Sequence, residues 1–139
     1  MIVDASVLAK TFVEEQDSND VRALILLLTA REKLLSPELV KYELGSVALK
    51  VSRKRTPPFT EAIGLVDIVT VDPSLLARSI EVARSKGLSF YDGCYLALAE
   101  REDCLLWTAD GALLEKSPRR TVSTGTLLEE PAKRERVES

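Results

Sequence analysis

The chain has 139 residues, 45% of them hydrophobic, enough for one domain that buries about two thirds of its unfolded surface without a disulfide or metal staple. It contains no histidine, which excludes Ser-His-Asp and Cys-His hydrolysis, histidine acid–base pairs and His-ligated zinc or iron. A net charge of −3 gives no general basic footprint for a nucleic acid, and the two cysteines, Cys94 and Cys104, form no CxxC pattern, which points to a reduced, intracellular protein.

The opening MIVDASVLAK lacks a basic leader region, and no run approaches the ~18 apolar residues of a membrane span, so a cytoplasmic location without membrane contact is expected. Short apolar runs at 1–4, 34–36, 67–71, 104–108 and 120–123 predict five strands. Between them fall helical patterns at 5–13 and 20–31. Ser36-Pro37 then supplies a cap and a first-turn proline for a helix that runs to about Lys54, where RTPPF stops it. Asp72-Pro73 opens a helix that ends at Gly87, Ser89 opens another, and Asp110 begins a short one. Strands alternating with helices predict an α/β fold with a parallel sheet and helices on both faces. Residues 1–128 form the expected domain, and the charged tail 129–139 has no apolar periodicity and is expected to be disordered.

In an open parallel sheet, ligands bind beyond the carboxyl ends of the strands, where the strand order reverses. The first predicted strand ends on Asp4, with Ser6 two residues on, and the fourth ends in WTAD, which brings Thr108 and Asp110 just past it. Each of these pairs is also a good helix cap. On the third helix, Val40, Leu44, Val47 and Val51 make a narrow apolar face with Glu43 roughly 70° from its centre, at the rim of the core or snorkelling outward. Asp92 lies in the first turn of the helix after Ser89, and Ser89-x-x-Asp92 fits a capping box in which the aspartate reaches back to a free backbone N–H. The spacing of Tyr91, Tyr95, Leu98 and Ala99 assigns that helix a core face, with Phe90 and Tyr91 expected in the core rather than as stacking platforms.

Four acids from four elements can meet in one crevice only at the cost of strong repulsion, which calls for raised pKa values or a cation. With no histidine available, the matching ions are the hard, oxygen-loving Mg²⁺ or Mn²⁺, and the matching reaction is metal-assisted phosphodiester hydrolysis. A phosphatase with an Asp-x-Asp nucleophile motif is excluded because Ser6 occupies the second position.

In order along the chain, IVDASVLAK, SPELVKYELGSVALK, GLSFYDGCYLALAE and LLWTADGALL resemble the acidic segments of the PIN-domain ribonucleases, most closely VapC-type toxins of toxin–antitoxin pairs. The resemblance implies a PIN-like three-layer α/β/α fold with a central five-stranded, mainly parallel sheet. It implies that Asp4, Glu43, Asp92 and Asp110 form the catalytic metal site, with Ser6, Thr108 and Ser46 in supporting positions. It further implies Mg²⁺- or Mn²⁺-dependent cleavage of RNA, homodimerisation, and inhibition by a small VapB-type antitoxin. Two departures from the family pattern are visible. Ser46 stands where asparagine is usual, and Gly93 where alanine is usual. Candidate contacts to the RNA backbone are Lys10, the run Arg53-Lys54-Arg55, and Arg119-Arg120, although basic residues closing a helix also suit its dipole. The competing expectation is a catalytically weak or inactive module that keeps the fold for binding or regulation. Loss of one or more of the four acids is its signature, and all four are present.

Overall fold

The computed structural model describes residues 1–51 and 59–129. The chain opens on strand β1 (Ile2–Val3), helix α1 (Ala5–Leu8) with a 3₁₀ turn (Ala9–Thr11), and α2 (Ser18–Thr29). There follow β2 (Leu35–Pro37), α3 (Leu39–Lys50), α4 (Phe59–Ile63), β3 (Asp67–Val69) and α5 (Pro73–Lys86). The last part comprises α6 (Phe90–Arg101), β4 (Leu106–Trp107), α7 (Gly111–Lys116), β5 (Thr121–Val122) and α8 (Thr124–Glu129). All five expected strands form, and the sheet is wholly parallel, in the order β3-β2-β1-β4-β5. Helices flank it in an α/β/α arrangement. The order turns back at β1, because the chain builds outward through β2 and β3 and then crosses to β4 on the other side. The crevice predicted for ligands therefore opens between the carboxyl ends of β1 and β4.

Most helix starts follow the sequence signals. Asp72 caps α5 by accepting the Leu75 N–H at 2.8 Å, Pro73 takes the first helical position, and Gly87 closes the helix at φ +64°, a conformation that favours glycine. Ser36-Pro37 departs from expectation, for both residues belong to β2 and α3 begins at Leu39. The Ser36 hydroxyl is buried and donates to the Val3 carbonyl of β1 at 2.5 Å, a use that outweighs capping. The Glu38 carboxylate accepts the Val71 N–H at 2.9 Å, carrying the seam toward β3 past the proline.

Val40 and Leu44 of α3 are fully buried, while Val47 is half-buried. The core gathers around Trp107 and Tyr95, with Trp107 Nε1 donating to Thr124 Oγ1 at 3.0 Å. The close pair α5–α6 depends on Gly93, where a β-carbon would stand 2.6 Å from the Ser79 carbonyl oxygen and 2.8 Å from Ala83 Cβ. This explains a glycine in the middle of a helix, where it otherwise costs stability. From Gly93 to Ala99 every residue of α6 is buried, but Phe90 and Tyr91 are exposed, contrary to the core role expected of them. The first turn of α6 projects past the layer that covers the rest of the helix, and a helix buried all round gives periodicity little to report. No helix among the described residues is long and apolar enough to cross a membrane.

Candidate active site

Asp4 sits at the end of β1 and caps α1 with the Val7 N–H. It is 4% exposed, and both its oxygens are engaged. Oδ1 accepts the Ser6 hydroxyl at 2.5 Å and the Val7 N–H at 3.2 Å, and Oδ2 accepts the Thr108 hydroxyl. Each hydroxyl in turn accepts a backbone N–H from the turn after β4. Ala109 N donates to Ser6 Oγ and Asp110 N to Thr108 Oγ1, both at 3.0 Å. Two hydroxyl bridges therefore close the β1–β4 crevice beyond the last ladder bonds. Asp110 spends Oδ1 on capping α7, accepting the Ala112 and Leu113 N–H groups at 2.8 and 3.2 Å.

Glu43 and Asp92 approach from α3 and α6. Glu43 is half-buried, and its Oε1 accepts the Tyr95 hydroxyl at 2.8 Å. Asp92 is also half-buried. Its backbone N–H donates to Ser89 Oγ at 3.1 Å, so Ser89 is the cap that the sequence predicted, and the same hydroxyl favours the ionised Asp92 carboxylate.

Electrostatics ties the acids together. Burial raises the Asp4 carboxyl to about 6, despite the hydrogen bonds from Ser6, Thr108 and Val7, and the charge of Asp92 adds to the rise. Glu43 is raised by burial and by the charges of Asp4 and Asp92, against the Tyr95 hydrogen bond. Asp92 is raised by burial and by the charge of Asp110, with Ser89 and Lys116 acting the other way. Among the described residues no three acids are drawn together as a ready-made cation cage. Hydroxyl and helix-cap bonds occupy both oxygens of Asp4 and Oδ1 of Asp110. The donor set nonetheless fits a hard divalent cation, because it is all oxygen, partly dehydrated and self-repelling.

The remaining sequence candidates fare unevenly. Ser46 is exposed and makes no hydrogen bond to the four acids among the described residues. The Lys10 side chain, 13% exposed, pairs with Glu15 at 2.9 Å and Asp17 at 2.7 Å. Arg53, Lys54 and Arg55 lie outside the described residues. Arg120 is engaged by Asp103 and the Cys104 carbonyl. Two residues that sequence reasoning passed over stand beside the site. Lys116 donates to the Gly87 carbonyl at 2.7 Å and acts on Asp92 as a nearby positive charge, and Tyr95 holds Glu43. The signal for Tyr95 was its place three residues after Asp92, on the same side of α6.

The family model for the PIN domain matches residues 1–117, a span that includes all four acids. The chain belongs to the PIN domain family. This PIN domain is 27% identical over 127 residues to Ribonuclease VapC3 of Pyrobaculum aerophilum, covering 85% of this chain and 95% of that one. The crystal structure of PAE2754 from Pyrobaculum aerophilum is similar with a TM-score of 0.71 at 27% identity, over 95% of this chain and 96% of the other. A toxin–antitoxin complex from Klebsiella pneumoniae shares the PIN fold with a TM-score of 0.68 at 16% identity, over 88% of this chain and 96% of its own.

Proposed function

We propose that this PIN domain is a metal-dependent endoribonuclease and the toxin of a type II toxin–antitoxin pair, working in the cytoplasm. What supports the proposal is that Asp4, at the end of β1 where the strand order reverses, and Glu43 and Asp92, from α3 and α6, raise one another's carboxyls, with Asp110 acting on Asp92. The naming of its Pyrobaculum relative as a ribonuclease supports RNA as substrate. Toxin–antitoxin neighbours, one of them bound to a DNA fragment from its promoter, support a small VapB-type partner, and the PIN-domain resemblance adds a homodimeric toxin.

A Mg²⁺ or Mn²⁺ held by these acids supplies neutralisation of phosphodiester charge and a more acidic water nucleophile. The protein's own part is to hold four carboxylates against their repulsion. Asp4 is fixed from both sides by Ser6 and Thr108, Glu43 by Tyr95, Asp110 by the α7 amides and Asp92 by the Ser89-capped start of α6. With Asp110 Oδ1 committed to the helix cap, its second oxygen keeps acceptor capacity for a ligand. Lys116 offers a positive charge beside Asp92 for a substrate phosphate. The exposed Tyr91 ring, one turn from Tyr95 on α6, offers a stacking face for an unpaired base.

Incubation of the purified protein with single-stranded RNA tests the proposal, with Mg²⁺ or Mn²⁺, with EDTA, and beside an Asp92→Asn variant. Cleavage that needs the ion and is lost in the variant is expected. Cleavage that survives EDTA, or equal cleavage by both proteins, would overturn it.

A further inference from the structure

A buried phenol must find a partner for its hydroxyl, and Tyr95, 1% exposed, finds one 52 positions away in the chain. Its Oη donates to Glu43 Oε1 at 2.8 Å. The phenol also feels the charge of Asp4. On α6, Tyr95 follows Asp92 by three residues and so stands one turn from it on the same side of the helix. One hydroxyl therefore links α3 and α6, two of the elements that carry the acids. Among the described residues the Glu43 carboxylate has no other hydrogen bond. A half-buried glutamate without that bond spreads over several rotamers, and ordering it again at the moment of ion binding costs affinity.

We propose that Tyr95 is a positioning residue for the ion site: by holding Oε1 of Glu43 it fixes the carboxylate and leaves Oε2 as the oxygen open to a ligand. This rests on the assignment of Glu43 to cation binding made above. Tyr95 touches neither ion nor RNA in this scheme and acts only through Glu43.

The test is Tyr95→Phe, which removes the hydroxyl and keeps the ring. Metal-free wild type, Y95F, Glu43→Gln and the double variant are titrated with Mn²⁺ by calorimetry, and their RNA cleavage is measured at limiting Mn²⁺. We expect Y95F to bind Mn²⁺ about tenfold more weakly, to lose kcat with an unchanged KM for RNA, and to melt within a few degrees of wild type. The double variant should bind no more weakly than E43Q alone, since a residue acting through Glu43 has nothing left to position. Wild-type affinity in Y95F, or additive losses in the double variant, overturns the proposal. Should Phe disturb folding, Tyr95→Met, which fills the space and also lacks a donor, takes its place in the same comparison. If wild type binds Mn²⁺ and cuts RNA while Y95F equals it, the Tyr95 proposal alone falls. If wild type binds Mn²⁺ but leaves RNA intact, the nuclease proposal falls and the Mn²⁺ affinities still decide Tyr95. If wild type binds no Mn²⁺, both fall.

Discussion

Gly93 and Ser79 approach so closely that the α5–α6 contact leaves no room for a methyl group, a β-carbon at Gly93 meeting the Ser79 carbonyl at 2.6 Å. Helix propensity alone says Gly93→Ala should stabilise α6 by about 1 kcal/mol. The packing reverses the sign, since the nearest atoms are backbone and a methyl group that cannot swing aside. We expect a net loss of about 2 kcal/mol and a melting temperature lower by roughly 5–10 °C. A thermal melt at neutral pH checks this, and an unchanged or higher melting point would refute the close approach.

Asp4 makes stability depend on pH in an unusual direction. Its carboxyl is raised from 3.8 to about 6 on folding, so the native state holds a proton that the unfolded chain releases. The stabilisation is complete below about 4 and is lost as pH rises through about 6, a difference of ~3 kcal/mol from this one group. In EDTA, the urea midpoint of wild type relative to Asp4→Asn should therefore fall between pH 4 and pH 7. Adding Mg²⁺ at pH 7 should restore wild type and leave Asp4→Asn unmoved. A pH-independent difference between the two proteins would contradict this account.

Thr108 and Ser6 both donate to Asp4, but they are not equivalent. Thr108 is fully buried and its hydroxyl also receives the Asp110 N–H, so Thr108→Val orphans a donor and an acceptor together. A loss of about 2–3 kcal/mol is expected there, against about 1 kcal/mol for Ser6→Ala at its half-exposed position. Thr108→Ser should recover most of the loss. Chemical denaturation of the three variants gives the ranking, and a serine variant that loses as much as the valine one would refute the hydroxyl as the source of the stability.

Asp92→Asn should separate chemistry from stability. The cap of α6 uses the Asp92 backbone N–H and the Ser89 hydroxyl, and both survive the change. Removing the charge also relieves repulsion from Asp110 and Glu43. The metal-free variant should be as stable as wild type or slightly more so, by well under ~1 kcal/mol given its partial exposure, while RNA cleavage is lost. A destabilised Asp92→Asn protein would mean that the carboxylate itself holds the helix start.

The sequence exposed the skeleton and hid the contacts. Five short apolar runs set between cap signals were enough to find the five strands among the described residues, most clearly the inner strands β1, β2 and β4, whose burial leaves apolar letters in a row. The acids at 4 and 110 were legible because strand ends and helix caps are local features. Pro37 misled because the same dipeptide opens a helix or ends a strand, and the choice was made by a Val3 carbonyl 33 residues away. Short helices such as α4 and α8 offer too few turns for a periodic signal. Tyr95–Glu43 and Thr108–Asp4 join residues 52 and 104 positions apart, and no spacing rule reaches that far.

The two hydroxyl bridges that run from Asp4 to the turn after β4 give this acid a second employment as a fastener between the halves of the sheet. Glu43 ties one tyrosine of α6 and Asp110 caps one short helix, but neither they nor Asp92 joins two strands. In a descendant that had ceased to cut RNA, selection for folding would go on preserving at position 4 a side chain able to make these bonds after the other three had drifted. An aspartate there is accordingly poor testimony to activity in a related chain, and the more exposed acids at 43, 92 and 110 are the ones to inspect.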